Sequence, residues 1–240
     1  MITVAYLYPD LLNMYGDRGN IASLRYRMEK RGIEAQIKEY GIGDAIDFQN
    51  TDIIYLGGGS EKEQKNVCTE LLKYAGELSD FVEKGGVMLA VCSGFEMLGK
   101  SYEIRGEEFE GLGILDMYGI WNDSRFISDV VAECSLTQTK IVGFENHNIR
   151  MKTSDLSPFG KILYGKGNDG ESGTEGVVYK NLVATFLHGP LLPKNPELTD
   201  WLISKALERK GMSPEITPLD DSAENIAKEY IIRKFAPKNQ

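Results

Sequence analysis

The sequence has few of the residues on which a disulfide framework, a metal site or a polyanion-binding surface would depend. It contains only three cysteines and two histidines among 240 residues. Three irregularly spaced cysteines are too few for a disulfide framework, so a reducing compartment is expected. Lysine and arginine number 27 against 36 aspartate and glutamate residues, which gives a net charge of -9. This balance argues against nucleic acid or an anionic membrane surface as the main partner, because both bind basic patches.

The sequence also lacks a long apolar run. No apolar segment approaches the ~20 residues that a membrane-spanning helix needs. The opening MITVAYLYPD has no charged region before its short apolar run, so it does not have the pattern of a signal peptide. We therefore expect a cytoplasmic protein, which would act on any lipid-linked material from the cytosolic side.

The first hundred residues alternate between apolar segments of strand length and segments of helical periodicity. Strands are predicted at 2–8, 33–40, 53–56 and 87–91, where apolar runs are bounded by turn residues. Ser60 and Glu63 have the Ser-x-x-Glu spacing of a capping box, which predicts that a helix follows the third strand. This alternation predicts an α/β fold with a mostly parallel sheet flanked by helices and with ligands at the carboxyl ends of the strands.

Short β-like segments replace this alternation after residue 100 and predict an antiparallel extension. They lie at 101–104, 107–110, 117–121, 127–134 and 140–144, followed by a strand at 182–187 and a helix at 195–210. A C-terminal helix at about 222–236 carries an apolar stripe of Ile226, Tyr230 and Phe235, which we expect to dock on the domain, with a partner surface as the alternative. No Pro-rich linker and no second core boundary divide the sequence, so residues 1–240 are predicted to form a single domain.

The segment GGVMLAVCSGFEMLG, residues 85–99, has the order strand, cysteine, short helix. Cys92 stands where the buried strand ends, and the small residues Ser93 and Gly94 follow it. This order predicts a nucleophile elbow, in which a tight turn lifts a thiol off the edge of the sheet. The adjacent helix N-terminus would favour the thiolate. The alternative interpretation is a buried cysteine at the end of a strand, since free cysteine is commonly buried.

Three consecutive glycines, Gly57, Gly58 and Gly59, follow the third predicted strand. They would lie at the same edge of the sheet as Cys92. Backbone N–H groups of Gly58, Gly59 and Ser93 are therefore predicted to bind substrate, by converging on the oxyanion that forms when the thiol attacks a carbonyl. A tight turn without a ligand is the alternative interpretation of such a loop.

His147 and His188 are the two candidates for a general base. His188 follows the predicted strand at 182–187 and would lie at the same edge as Cys92, whereas His147 is expected to be a pocket or structural residue. A cysteine and a histidine suit acyl transfer through a thioester. Two histidines without clustered carboxylates predict no metal site.

Residues 94–101, GFEMLGKS, match the phosphate-loop pattern G-x-x-x-x-G-K-[ST] letter for letter. That motif needs a glycine-rich loop followed by a helix that opens at its Lys and Ser. In this sequence Phe95, Met97 and Leu98 favour a packed helix before the Lys, and a β-like segment follows it. Nucleotide binding is therefore not predicted.

The triple glycine, the AVCSGFEMLG elbow and His188, in this order, resemble the class I glutamine amidotransferases, which hydrolyse glutamine and pass on ammonia. GFENHNIR followed at a distance by His-Gly-Pro is similar to the cobyric acid synthase-like branch. LYPDLLNMYGDRGNI and GGGSEKEQ further resemble the glutaminase subunits of lipid II isoglutaminyl synthases, the GatD type, over nearly the whole length.

This resemblance implies a flavodoxin-like sheet, Cys92 as the nucleophile, His188 as the base and Arg125, in WNDSRFISD, as a residue that binds the substrate L-glutamine. It implies no cofactor. It also implies a heterodimer, in which a Mur-ligase-like ATP-dependent partner uses the ammonia to amidate D-glutamate in the peptidoglycan stem peptide. Many class I members have Glu where this chain has Pro190, so the imidazole lacks its usual orienting carboxylate. Ala90 also stands where Gly is common.

Three alternatives remain open at this point. The chain could be the glutaminase component of a cobyrinic or cobyric acid amidating enzyme, although that component usually comes fused to its synthetase domain. It could be a cysteine hydrolase of another substrate, such as a peptidase-like member of the same fold. It could also be a catalytically silent assembly subunit, against which the presence of both Cys92 and His188 argues.

Overall fold

Two six-stranded sheets and their flanking helices make up residues 1–236, the part of the chain that this computed structural model describes. The strands are β1 (Ile2–Leu7), β2 (Ala35–Tyr40), β3 (Ile53–Leu56), β4 (Val87–Val91), β5 (Ser101–Ile104), β6 (Glu107–Glu110), β7 (Tyr118–Cys134), β8 (Lys140–Lys152), β9 (Gly160–Tyr164), β10 (Thr174–Glu175), β11 (Val177–Tyr179) and β12 (Leu182–Thr185). The helices are α1 (Arg18–Glu29), α2 (Glu61–Leu71), α3 (Ala75–Glu83), α4 (Ser93–Met97), α5 (Pro196–Arg209) and α6 (Ser222–Phe235). None of these described helices combines the length and the apolar content needed to cross a membrane.

The first sheet has the strand order β2-β1-β3-β4-β12-β11, and every pair in it is parallel except β11 with β12. All residues of β1, β3, β4 and β12 are buried, because apolar clusters cover both faces of the sheet. Near-continuous apolar strands are what a sheet covered on both sides requires. The predicted α/β fold with a mostly parallel, flavodoxin-like sheet is confirmed. The predicted capping box of Ser60 and Glu63 at the start of α2 is also present.

The predicted antiparallel extension is the second sheet, in which only β5 and β7 pair in parallel. The segments predicted at 117–121 and 127–134 form one strand of 17 residues, β7. Its register against β8 shifts between Trp121 and Phe126, and Arg125 lies within this irregular stretch. The two sheets meet through an antiparallel bridge between Phe144 of β8 and His188.

The C-terminal helix α6 forms where the sequence predicts it, but its apolar stripe does not face inward as a whole. Ile232 packs with Val131 and Val142 of the second sheet, with Phe235 partly buried beside it. Ile226 and Tyr230 are 73% and 65% exposed, so the prediction that they dock on the domain is wrong. The single domain predicted for 1–240 stays a prediction, and residues 237–240 lie outside the described part of the chain.

Candidate active site

Three features predicted to carry chemistry lie at the carboxyl ends of neighbouring parallel strands. The triple glycine follows β3, Cys92 follows β4 and His188 comes shortly after β12. The backbone N–H of Cys92 donates to the carbonyl of Thr185, the last residue of β12, at 2.8 Å. The topology therefore brings together residues that are almost a hundred positions apart in the sequence.

Cys92 has the backbone conformation of a nucleophile elbow, with φ 56° and ψ -119°. Non-glycine residues rarely adopt a positive φ, and such strain is concentrated at functional sites. The chain turns directly from β4 into α4, and Gly94 lets this turn approach β3 closely. A Cβ on Gly94 would lie 2.6 Å from the carbonyl oxygen of Leu56. The tight turn predicted from the sequence is thus present, and a side chain at position 94 would disrupt it.

The thiol of Cys92 is protonated in this conformation, contrary to the expectation of a thiolate. Burial raises the pKa of Cys92, and the nearby carboxyl groups of Glu96 and Asp17 raise it further. A hydrogen bond from the backbone N–H of Ser93 acts in the opposite direction but is too weak to compensate. Helix α4 has only five residues, so its dipole offers little against the desolvation of Cys92, a residue that is 8% exposed. A base must therefore remove the thiol proton during attack.

The glycine loop lies directly against Cys92. A Cβ on Gly58 would be 2.8 Å from Cys92 Cβ, so only glycine fits at this position. The N–H of Gly58 donates to Asp17 Oδ2 at 3.2 Å, and the N–H of Gly59 donates to Ser93 Oγ at 2.8 Å. The expected convergence of these N–H groups on one point is therefore not present here, because side chains already accept from both. The roles of Gly58, Gly59 and Ser93 in substrate binding stay predictions.

His188 is held by its backbone and by aromatic rings. Its N–H and carbonyl both pair with Phe144, and its ring lies 4.5 Å from the ring of Tyr15 in an edge-to-face arrangement. The side chain is buried, and neither ring nitrogen has a hydrogen-bond partner among the described residues. Burial lowers the pKa of His188 to about 4, and the neighbouring His147, Lys194 and Arg125 act in the same direction. The imidazole is therefore neutral at pH 7, which is the form that accepts a proton.

His147 also reaches the site, from β8. Its Nδ1 lies 2.7 Å from the carbonyl oxygen of Ile149, and its Nε2 lies 3.7 Å from Glu145 Oε2. The ring stacks on Phe186 at a centroid distance of 3.6 Å. Because these contacts fix the ring in place, His147 fits the predicted role of a pocket or structural residue.

A cavity of about 530 Å³ opens beside Cys92. The predicted residues Cys92, Ser93, Gly59 and Arg125 line it together with residues that the sequence did not single out, namely Tyr15, Gln64, Glu96 and Asn146. Burial raises the pKa of Glu96 to about 8, and Gln64 Nε2 donates to Glu96 Oε2 at 2.7 Å. Glu96 stands in the helix after the elbow, four positions from Cys92, and this spacing alone would have indicated that it faces the site.

The phosphate-loop match has the wrong structural context, as the sequence predicts. Helix α4 occupies the first half of the matching segment, where the phosphate loop would be, and Ser101 begins strand β5 rather than a helix. Lys100 forms an ion pair with Asp116 at 2.5 Å. Among the described residues, no group of three or more histidine, cysteine or acidic side chains is placed to hold a metal ion.

Residues 3–196 match the family model of the CobB/CobQ-like glutamine amidotransferase domain. The GatD subunit of the glutamine-hydrolysing lipid II isoglutaminyl synthase of Staphylococcus aureus is 43% identical over 96% of this chain and 95% of its own length. The GatD subunit of Streptococcus pneumoniae is 36% identical over 95% of this chain and 90% of its own length. A glutamine amidotransferase structure from Thermotoga maritima has a TM-score of 0.56 over 96% of this chain and 93% of that one, and at 13% identity it shows a shared fold.

Proposed function

The chain belongs to the CobB/CobQ-like glutamine amidotransferases, and from this premise we propose that it is the glutaminase subunit of a lipid II isoglutaminyl synthase. It would release ammonia from L-glutamine and supply it to a Mur-ligase-like, ATP-dependent partner that amidates D-glutamate of the stem peptide. The observation that supports this proposal most strongly is that a strained cysteine elbow and a neutral buried histidine follow two adjacent parallel strands at the same edge of the sheet. The match to both GatD subunits over almost the whole chain supports the choice of reaction.

In the proposed mechanism, Cys92 and His188 form a neutral thiol and imidazole pair. The sulfur of Cys92 attacks the γ-carbonyl carbon of glutamine while His188 takes the thiol proton. The imidazolium gives this proton to the departing amine, so that ammonia leaves and a γ-glutamyl thioester remains on Cys92. Water then attacks the thioester with His188 again as the base, and glutamate leaves as the thiol re-forms.

The tetrahedral intermediate needs N–H donors at its oxyanion. The N–H of Ser93 already faces the sulfur of Cys92. The N–H groups of Gly58 and Gly59 donate to Asp17 and to the Ser93 hydroxyl in the free protein. We expect at least one of them to exchange its side-chain acceptor for the oxyanion when glutamine binds.

Reconstitution with the partner tests the function. The chain, a Mur-ligase-like subunit, ATP and a D-glutamate-containing lipid II acceptor are combined with either glutamine or ammonium chloride. We expect amidation from glutamine to require both chains, and amidation from a high concentration of ammonium to require only the ligase subunit. Amidation from glutamine without this chain would contradict the proposal, and so would glutamine hydrolysis that supports cobyrinic acid amidation in place of lipid II amidation.

Replacement of Arg125 is expected to weaken glutamine capture. Arg125 lines the cavity, and the fork of N–H donors on a guanidinium suits the α-carboxylate of an amino acid. Loss of a charged hydrogen bond is worth roughly 1.5–3 kcal/mol, so Arg125→Ala should raise KM for glutamine by about 10- to 100-fold with a much smaller change in kcat. Steady-state glutamate release measures both values. Arg25→Ala, which removes an exposed arginine of α1, is the matched control, and a fall in kcat at unchanged KM would exclude the assignment.

A further inference from the structure

The short turn before α1 places Tyr15 over the candidate base. Residues Met14–Gly16 form a 3₁₀ turn in which Tyr15 has φ 58° and Gly16 has φ 79°. A left-handed conformation at a tyrosine is strained. The glycine loop holds the turn on both sides, because the Met14 N–H donates to the Gly58 carbonyl at 2.9 Å and the Gly58 N–H donates to Asp17. The strain is therefore maintained by the same loop that borders Cys92.

No hydrogen bond among the described residues orients the ring of His188. The ring of Tyr15 orients it instead. Tyr15 meets the imidazole edge to face at 4.5 Å, and Phe144 meets it at 5.9 Å. Both ring nitrogens of His188 are without partners in the described part of the chain, and Pro190 offers no carboxylate. Edge-to-face aromatic contacts of this kind favour one orientation of the ring. Packing, rather than a carboxylate, thus sets the direction of this imidazole.

The hydroxyl of Tyr15 connects the same residue to Arg125. Asn146 Nδ2 donates to the Tyr15 hydroxyl at 2.6 Å, and Arg125 Nε donates to Asn146 Oδ1 at 2.5 Å. The orientation of the amide follows from chemistry, because an arginine can only donate and must therefore face the amide oxygen. A continuous chain of contacts then runs from Arg125 through Asn146 and Tyr15 to His188.

We propose that Tyr15 and Asn146 are positioning residues, with the ring of Tyr15 orienting His188 and its hydroxyl, through Asn146, orienting Arg125. This inference rests on the proposed glutaminase function. The ring and the hydroxyl of Tyr15 then have different roles, which substitutions can separate. The hydroxyl acts on glutamine capture, and the ring acts on proton transfer.

Two substitutions at position 15 test the division. Tyr15→Phe keeps the ring and removes the link to Asn146, so KM for glutamine rises about 3- to 10-fold while kcat stays within about 2-fold, which corresponds to one neutral hydrogen bond. Tyr15→Leu also removes the ring, so kcat falls a further ~3- to 10-fold. Asn146→Ala reproduces the KM increase of Tyr15→Phe. Because Tyr15→Phe and Asn146→Ala break the same link, the double variant raises KM by less than the product of the two single increases.

The assay measures glutamate release by the full chain with its ligase partner, and melting temperatures establish that each variant is folded. Tyr26→Leu removes a tyrosine of α1 that is 51% exposed, and serves as the control. Equal losses of kcat in Tyr15→Phe and Tyr15→Leu, or a wild-type kcat in Tyr15→Leu, would overturn the inference and leave the proposed function intact. Absence of glutamine hydrolysis by the wild-type complex would overturn both.

Discussion

The Cys92→Ser protein is expected to hydrolyse glutamine at least ~10⁴-fold more slowly than the wild type, the scale seen when the nucleophile of a catalytic triad is removed. A serine hydroxyl is much less acidic than a thiol, and in this site even the thiol has a raised pKa because it is buried. His188 would have to remove a far less acidic proton, without the carboxylate that usually supports such a histidine. Glutamate release by the complex with the ligase subunit measures the loss.

The other two cysteines provide matched controls for this experiment. Cys68 and Cys134 are buried like Cys92, at 2% and 3% exposure, but neither lines the cavity. Cys68→Ser and Cys134→Ser should therefore lower the melting temperature without removing turnover. If the Cys92→Ser protein keeps the wild-type rate, Cys92 is not the nucleophile. Co-elution of the Cys92→Ser chain with the ligase subunit in size-exclusion chromatography checks that the complex still assembles.

The second large effect is expected at His188. His188→Gln preserves approximate size and should lower kcat by about 10²- to 10⁴-fold, the range for loss of a general base. His147→Gln changes a ring that lines the cavity at Cys92 but is fixed by Ile149 and Phe186, and it should keep at least about a tenth of the wild-type kcat. The reverse order of effects would assign the base to His147.

The pH profile gives a second measurement on the same residue. A base acts in its neutral form, and burial lowers the pKa of His188 to about 4, so the neutral form persists to lower pH than for an ordinary histidine. We expect kcat/KM of the wild-type complex to show no loss between about pH 8 and pH 5.5 from this group. An ordinary histidine would be half protonated near pH 6.5. A midpoint at that pH would show that His188 is solvated in the working enzyme.

Much of the scaffold could be predicted because its signals are local. Apolar runs such as 87–91 identify strands of a covered parallel sheet, the capping box at Ser60 starts α2, and the small residues after Cys92 permit the elbow. Strand ends in a parallel sheet share one edge. The order of the segments therefore predicted that the triple glycine, Cys92 and His188 lie at the same edge. The prediction that the apolar stripe of α6 docks on the domain was wrong because periodicity shows that a helix is amphipathic but not which of its residues contact another surface.

The sequence by itself determined the α/β fold, the elbow and the edge of the sheet on which the candidate nucleophile and base lie. Each of these depends on neighbours within a few residues or on the geometry of a parallel sheet. Only the tertiary structure decided the protonation of Cys92 and His188, because burial is a property of the whole packed molecule. It also decided the contact of Tyr15 with Asn146, which are 131 positions apart. No local sequence pattern predicts a contact between residues so far apart in the chain. The contact follows from packing the two sheets together around the bridge between Phe144 and His188.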